Sequence, residues 1–240
     1  MPCASHYALA PIGLIEGCYP DKFGVPRQPG LARAATARLR LLGEFAQPDA
    51  VRGIDAFSHL WLTFVFHLSP PRWTPLVRPP RLGGNRKTGV FASRATHRPN
   101  RLGLSLVELV GVELDDGVCL VLRGHDLVDG TPVVDIKPYL PWADGAEHAR
   151  AGFAPAPPEL LPVRFSAEVE AQLASRADGA SLRALIEDVL AQDPRPAYHP
   201  IDPARRYGVR LADLDVGFRL CATENGPQVE VIDLRAWKRP

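Results

Sequence analysis

The chain has 240 residues, a formal net charge of +1, 46% apolar and 23% charged residues, a composition that excludes disordered and fibrous classes. This length accommodates one large domain or two small ones, and 25 prolines favour strands, turns and rigid loops over long helices. The longest apolar run, Leu60 to Leu68, is too short for a bilayer, and the N-terminus has no signal-peptide pattern, so a cytoplasmic protein without a membrane partner is expected.

In chain order, the first 140 residues read as β-rich. Leu60-Trp-Leu-Thr-Phe-Val-Phe66 has the aromatic and β-branched character of a buried strand. Pro79-Pro80 and Gly83-Gly84 make 78–87 an exposed loop. Leu104 to Leu114 and Val118 to Leu122, joined by Asp115-Asp116-Gly117, form a hairpin pattern, and Thr131 to Ile136 is another strand. Residues 143–162 hold six alanines and four prolines and read as a linker. Beyond it, Ser166 is placed to cap a helix through Ala174, with Glu168 and Glu170 in its first turn. Ser181 is placed to cap a second helix, with Leu182, Leu185, Ile186, Val189 and Leu190 on one face. Tyr207 to Leu211, Val216 to Ala222 and Gln228 to Leu234 read as strands, the last two joined by an Asn225-Gly226 turn. The expected class is mainly β, with a first domain over 1–145, a linker over 146–160 and a small α+β domain over 161–240.

Charge is segregated along this chain. From Ala56 to Val107 there is no Asp or Glu, yet there are Arg72, Arg78, Arg81, Arg86, Lys87, Arg94, Arg98 and Arg101, leaving about −7 on the remaining residues. Such a stretch suits an anionic partner. Several chemistries are disfavoured by missing motifs. No GxGxxG supports a Rossmann site, and Gly83-Gly-Asn-Arg-Lys-Thr-Gly89 has Arg86 where a P-loop needs its second glycine. There is no GxSxG and no zinc-ligand spacing, so no metal is expected. Cys3, Cys18, Cys119 and Cys221 form no CxxC pair and read as buried or free thiols, without a disulfide framework.

Four segments pack polar groups beside Gly, Pro and aromatic residues: Phe23 to Gly30, Phe64 to His67, Gly89 to Gly103 and His125 to Tyr139. In order and content they resemble the TrmO family, also called TsaA-like, over about Ile12 to Pro141, with Gln192-Asp-Pro-Arg-Pro-Ala-Tyr198 extending the likeness. The resemblance implies a small non-Rossmann β-barrel and an S-adenosylmethionine-dependent tRNA methyltransferase. Its substrate would be N6 of the threonylcarbamoylated adenosine at position 37, beside the anticodon, with tRNA-Thr the expected isoacceptor. It also implies a homodimer with the cofactor near the interface.

Carried over by the resemblance, the cofactor residues are Pro26, Arg27 and Gln28; His67 and Leu68; Arg94 and Leu104; and Asp126, Leu127, Val128 and Asp129. The chain departs from the family pattern twice: Leu68 stands where relatives often have Gln, and His97 where they carry an aromatic such as Phe. Chemically, Asp126 or Asp129 suits the ribose diol or ammonium of the cofactor, Arg27 or Arg94 its carboxylate, and backbone beside Leu104 and Leu127 its adenine. Alignment supplies on the order of 7–11 kcal/mol in such a displacement. A base that removes the N6 proton helps, and Asp129, Asp135, Tyr139 and His67 are the unranked candidates. Arg78, Arg81, Arg86, Lys87, Arg98 and Arg101 suit anticodon-loop phosphates, Phe91 and His97 suit stacking, and Asn100 belongs to the same ligand loop. Arg195 and Tyr198 are expected at the tRNA or in support of a dimer. Two other readings remain at this point: a non-catalytic RNA-binding sensor of S-adenosylmethionine, and an enzyme using that cofactor on a small anionic substrate.

Overall fold

In the computed structural model, which describes residues 7–83, 85–195 and 201–238, the aromatic run is a strand with every second side chain buried. Leu60, Leu62 and Phe64 point inward, the alternation of a sheet with one dry face. In chain order the first strands are β1 (Gly13–Gly17), β2 (Thr36–Leu41) and β3 (His59–Val65). A short ribbon follows, β4 (Leu76–Val77) with β5 (Thr88–Gly89), and then β6 (Leu102–Glu113), β7 (Cys119–Arg123) and β8 (Pro132–Pro138).

Six of these strands close into an antiparallel barrel in the order β1-β2-β7-β6-β3-β8. β8 returns to β1 through the pairs Gly13–Val133 and Leu14–Pro132. Closure leaves no sheet edge open. Ile15, Leu39, Leu60, Leu62, Val107, Leu120, Leu122 and Val133 fill the interior. The described residues of 78–87 form an exposed loop, as expected, and this loop is the tip of the ribbon, because Leu76 pairs with Gly89 and Val77 with Thr88.

The second unit follows a single helical turn, α1 (Pro141–Asp144). It comprises β9 (Val163–Phe165), α2 (Ala167–Ala174), α3 (Gly179–Leu190), β10 (Tyr207–Leu211), β11 (Leu214–Thr223) and β12 (Gly226–Ala236). Its sheet runs β10-β11-β12-β9, with β9 parallel to β12. Ser166 caps α2, its hydroxyl accepting from the Val169 N–H at 3.3 Å. The second helix begins at Gly179 rather than at Ser181, with Asp178 at its N-cap. A Cβ at Gly179 would overlap the Leu173 carbonyl, so only glycine lets α3 start this close to α2. The expected apolar face of α3 is buried.

The core of this unit also takes in Tyr19, Ala32 and Ala35 from the β1–β2 connection. The Ala212 N–H donates to the Cys18 carbonyl at 2.8 Å, and the Ala34 N–H to the Asp188 carboxylate at 2.8 Å. Gly24, at φ +92°, lies so close to Val209 that a Cβ would overlap it. Cys18, Cys119 and Cys221 are free thiols. Among the described residues no helix is long and apolar enough to cross a membrane.

Gly24→Ala places a Cβ at a left-handed position and against Val209. It should destabilise the protein by about 1–3 kcal/mol, read as a lower urea midpoint. A midpoint unchanged from wild type would show that this contact does not constrain the connection.

Candidate functional site at the barrel rim

Three connections leave one rim of the barrel: residues 18–35 after β1, 66–101 after β3 and 124–131 after β7. They are tied to one another. Arg94 of the second donates to the side-chain amide oxygen of Gln28 in the first. Lys22 of the first donates to the Leu68 carbonyl of the second at 3.1 Å. The third is pinned to β1: the Asp129 carboxylate accepts the Gly17 N–H at 2.7 Å, while the Asp129 N–H donates to the Tyr19 carbonyl at 2.8 Å. Asp126 accepts from the Ser105 hydroxyl of β6 at 2.6 Å and lies within the field of Arg94.

Beneath this third connection sits His125, fully buried. Its Nε2 lies 3.1 Å from the Thr36 carbonyl and its Nδ1 accepts the Leu127 N–H at 3.3 Å. These partners assign the neutral tautomer that carries hydrogen on Nε2. Burial pushes its pKa down to about 4. Burial also pushes Asp126 up to about 6, against the Ser105 hydrogen bond that favours the carboxylate. The His67 imidazole is held below its ordinary value by burial, opposed by the Asp129 charge.

Pro26, Arg27, Gln28, His67, Leu68, Arg94, Asp126, Val128 and Asp129 therefore all lie on the three connections at this rim. The Leu127 side chain is 1% exposed in the barrel core, and the expectation for this residue concerned its backbone. Leu104 is 52% exposed on the outer face of β6, back to back with the inward Ser105.

Two candidate bases lie on or just after β8 rather than on the rim connections. Tyr139 donates its N–H to the His59 carbonyl at 3.0 Å, at the far end of β3. Six strand steps separate that point from Val65, about 20 Å, so Tyr139 does not share a pocket with His67 within one chain. Asp135, opposite Thr63, is exposed on the outside of β8.

The cationic residues divide into two groups. Arg78, Arg81, Arg86 and Lys87 stand exposed on the ribbon tip, and Phe91, His97 and Asn100 are exposed beyond it. Arg98 instead donates to the Val90 and Ser93 carbonyls at 3.3 and 2.9 Å, and Arg101 to the Ser69 carbonyl at 3.3 Å. Arg195 is turned inward. It is 6% exposed, ion-paired with Asp193 at 2.8 Å, and its guanidinium lies 5.6 Å from the Tyr207 ring centroid. Tyr198 lies outside the described residues. Sequence reasoning missed Ser105, Lys22 and His125. Ser105 had a signal, a lone hydroxyl in the inward phase of an apolar strand, whereas Lys22 had none. Among the described residues no cluster of His, Cys, Asp and Glu is placed to hold a metal.

Comparison with known proteins decides the family. The tRNA-methyltransferase O N-terminal domain matches residues 14–145, and the TrmO C-terminal domain matches residues 158–236. The chain belongs to the TrmO family. A relative from Escherichia coli named tRNA (adenine(37)-N6)-methyltransferase is 49% identical over 236 residues, covering 96% of this chain and 100% of that protein. One of the same name from Eikenella corrodens is 51% identical over 170 residues, 69% of this chain and 92% of the relative. The crystal structure of TrmO from Pseudomonas aeruginosa superposes with a TM-score of 0.80 at 43% identity, covering 97% and 99% of the two chains. The mainly β architecture, a barrel followed by a sheet with helices, is thus that of TrmO structures.

His125 and Asp126 oppose one another in acid. The depressed His125 stabilises the fold above about pH 6.5, and this is lost as pH falls toward 4. The raised Asp126 does the reverse, favouring the fold most below about pH 4 and losing that as pH rises through 6. Asp126→Asn should therefore leave stability falling more steeply between pH 6 and 4, by up to about 1.4 kcal/mol per pH unit for one proton. Urea midpoints measured at pH 7, 5 and 4 check it, and parallel profiles for the two proteins would refute the opposition.

Proposed function

We propose that this chain transfers the methyl group of S-adenosylmethionine to N6 of threonylcarbamoyladenosine at position 37 of a tRNA, giving N6-methyl-N6-threonylcarbamoyladenosine. The observation that carries this reading is the convergence of the Gln28, Arg94, Asp126 and Asp129 segments at one rim in a chain of the TrmO family. The relatives named tRNA (adenine(37)-N6)-methyltransferase supply the base and the position.

The rim fits the cofactor chemically. S-adenosylmethionine presents a carboxylate, an ammonium, a ribose diol and an adenine. Arg27 and Arg94 suit the carboxylate. Asp126, oriented by Ser105, and Asp129, oriented by the Gly17 N–H, suit the ammonium and the diol. When bound, the cofactor supplies an electrophilic methyl group whose departing thioether needs no proton.

The chain's own task is to hold the target base in line and to accept the N6 proton. The lone pair of a carbamoylated N6 is delocalised, so loss of that proton sharpens the nucleophile. His67 suits this role, because burial favours its neutral imidazole and it sits in the field of Asp129. Asp129 orients the site and remains a second acceptor. The exposed Arg78, Arg81, Arg86 and Lys87 take anticodon-loop phosphates. In this reading tRNA-Thr is the substrate, the protein is cytoplasmic, and residues 1–145 and 161–240 are two domains joined by 146–160. A homodimer contact over the outer face of β6 would bring the exposed Leu104 to a partner's cofactor.

Label should pass from methyl-labelled S-adenosylmethionine to threonylcarbamoylated tRNA and not to the same tRNA lacking that group. Equal labelling of both would remove the carbamoyl requirement. Asp129→Ala and His67→Ala should each lower the methylation rate at least tenfold, about 1.4 kcal/mol, with His67→Ala also flattening the acid limb of the pH–rate profile. Arg94→Ala should weaken cofactor binding by calorimetry while the urea midpoint holds. A collapse of that midpoint would make Arg94 structural.

A further inference from the structure

The acid-free stretch carries two open aromatic rings as well as cations. In the β4–β5 ribbon the Val90 N–H donates to the Pro75 carbonyl at 2.9 Å, which sets the segment carrying Trp73 alongside Phe91. Trp73 is 45% exposed and Phe91 74%. Both open rings lie just beyond the ends of β4 and β5, on the two segments that this bond joins. Arg98 lies behind Phe91. Its guanidinium is 6.0 Å from the ring centroid, and its Nη1 donates to the carbonyls of Val90 and Ser93, the residues flanking that turn.

The surrounding charge is all of one sign. Arg72, Arg78, Arg81, Arg86 and Lys87 are exposed, and none is ion-paired among the described residues. On the barrel wall, by contrast, Arg38, Arg40 and Arg123 each meet a glutamate. Phe91 also lies three residues before Arg94, about 10 Å of chain, and Arg94 bonds Gln28 at the rim.

We propose that Trp73 and Phe91 form a two-ring stacking platform for unpaired bases of the substrate RNA, and that Arg98 is a positioning residue propping the Phe91 ring rather than a phosphate contact. The proposal rests on the tRNA methyltransferase reading above and adds the device that receives the loop. Single-stranded RNA matches both features, since aromatic faces accept any base and the flanking cations accept phosphates. A second copy of this chain would bring the same positive ribbon against this one, which like-charge repulsion opposes.

The test uses the full-length protein and a fluorescently labelled anticodon stem-loop RNA, titrated across a potassium chloride series. Trp73→Ala and Phe91→Ala should each weaken binding by about 5- to 150-fold with the salt slope unchanged. Trp73→Tyr should keep most of the affinity. Arg86→Ala should instead flatten the slope by about one phosphate. Arg98→Gln should follow Phe91→Ala, with the slope intact, whereas a slope reduced by about one would make Arg98 a phosphate contact and overturn its propping role. S-adenosylhomocysteine affinity should hold in all five variants, which separates the platform from the cofactor site. If wild type methylates tRNA while Trp73→Ala and Phe91→Ala bind RNA as well as wild type, the platform is refuted and the function stands. If wild type labels no tRNA, the function itself is refuted. Variants that lose a dimer in sedimentation yet keep RNA affinity would assign the rings to contact between copies, against the proposal.

Discussion

The seating of the β1–β2 connection in the core of the second unit is the constraint on which the site depends. That connection carries Pro26 to Gln28, yet its Tyr19, Ala32 and Ala35 are buried among α2, α3 and the β10–β12 strands rather than in the barrel. Tyr19 is the large side chain of the three and is fully buried. Hydrogen bonds from the Ala212 N–H to the Cys18 carbonyl and from the Ala34 N–H to the Asp188 carboxylate fix its direction. The rim connection that carries Pro26 to Gln28 therefore springs from the barrel but is held in place by the C-terminal unit. The barrel sequence alone does not specify the rim.

Electrostatics follows from where acids are absent. The barrel wall pairs its arginines with glutamates, and exposed pairs of this kind contribute little to stability, typically under about 1 kcal/mol each. Their larger effect is to cancel the field of the wall. The ribbon lacks such acids, so its positive potential stands uncancelled beside the rim. A chain of near-zero net charge thereby presents a directional field.

Much of the fold was legible because the local signals were strong. The aromatic and β-branched run of β3, the Asp116-Gly117 turn into β7 and the face of α3 all depend on residues near one another in sequence, and so does the tight turn into β12, although its two loop residues are Glu224 and Asn225, with Gly226 already paired to Thr223. β9 escaped notice because three residues carry no period, and it exists only through parallel pairing with β12. The start of α3 escaped because a close approach to Leu173, not a capping hydroxyl, sets it. For the site, the residue types were legible but not their directions. His125 to Tyr139 reads as one polar segment, yet it begins in a rim connection and then runs down β8 for seven residues, so Tyr139 ends far from Asp129. Leu104 and Ser105 are neighbours in sequence and face opposite sides of the barrel wall.

The barrel closes unevenly. β1 and β8 share only two register pairs, one of them to Pro132, which has no N–H to give, whereas β3 and β6 share seven. Beside this short ladder the Asp129 carboxylate stitches the turn before β8 to Gly17 at the end of β1. The same carboxylate is thus a fastener of the closure and part of the candidate site at the rim. Local fraying along this line would open the site while the rest of the wall stays paired, and a molecule lodged at Asp129 would act as a clasp on the cylinder.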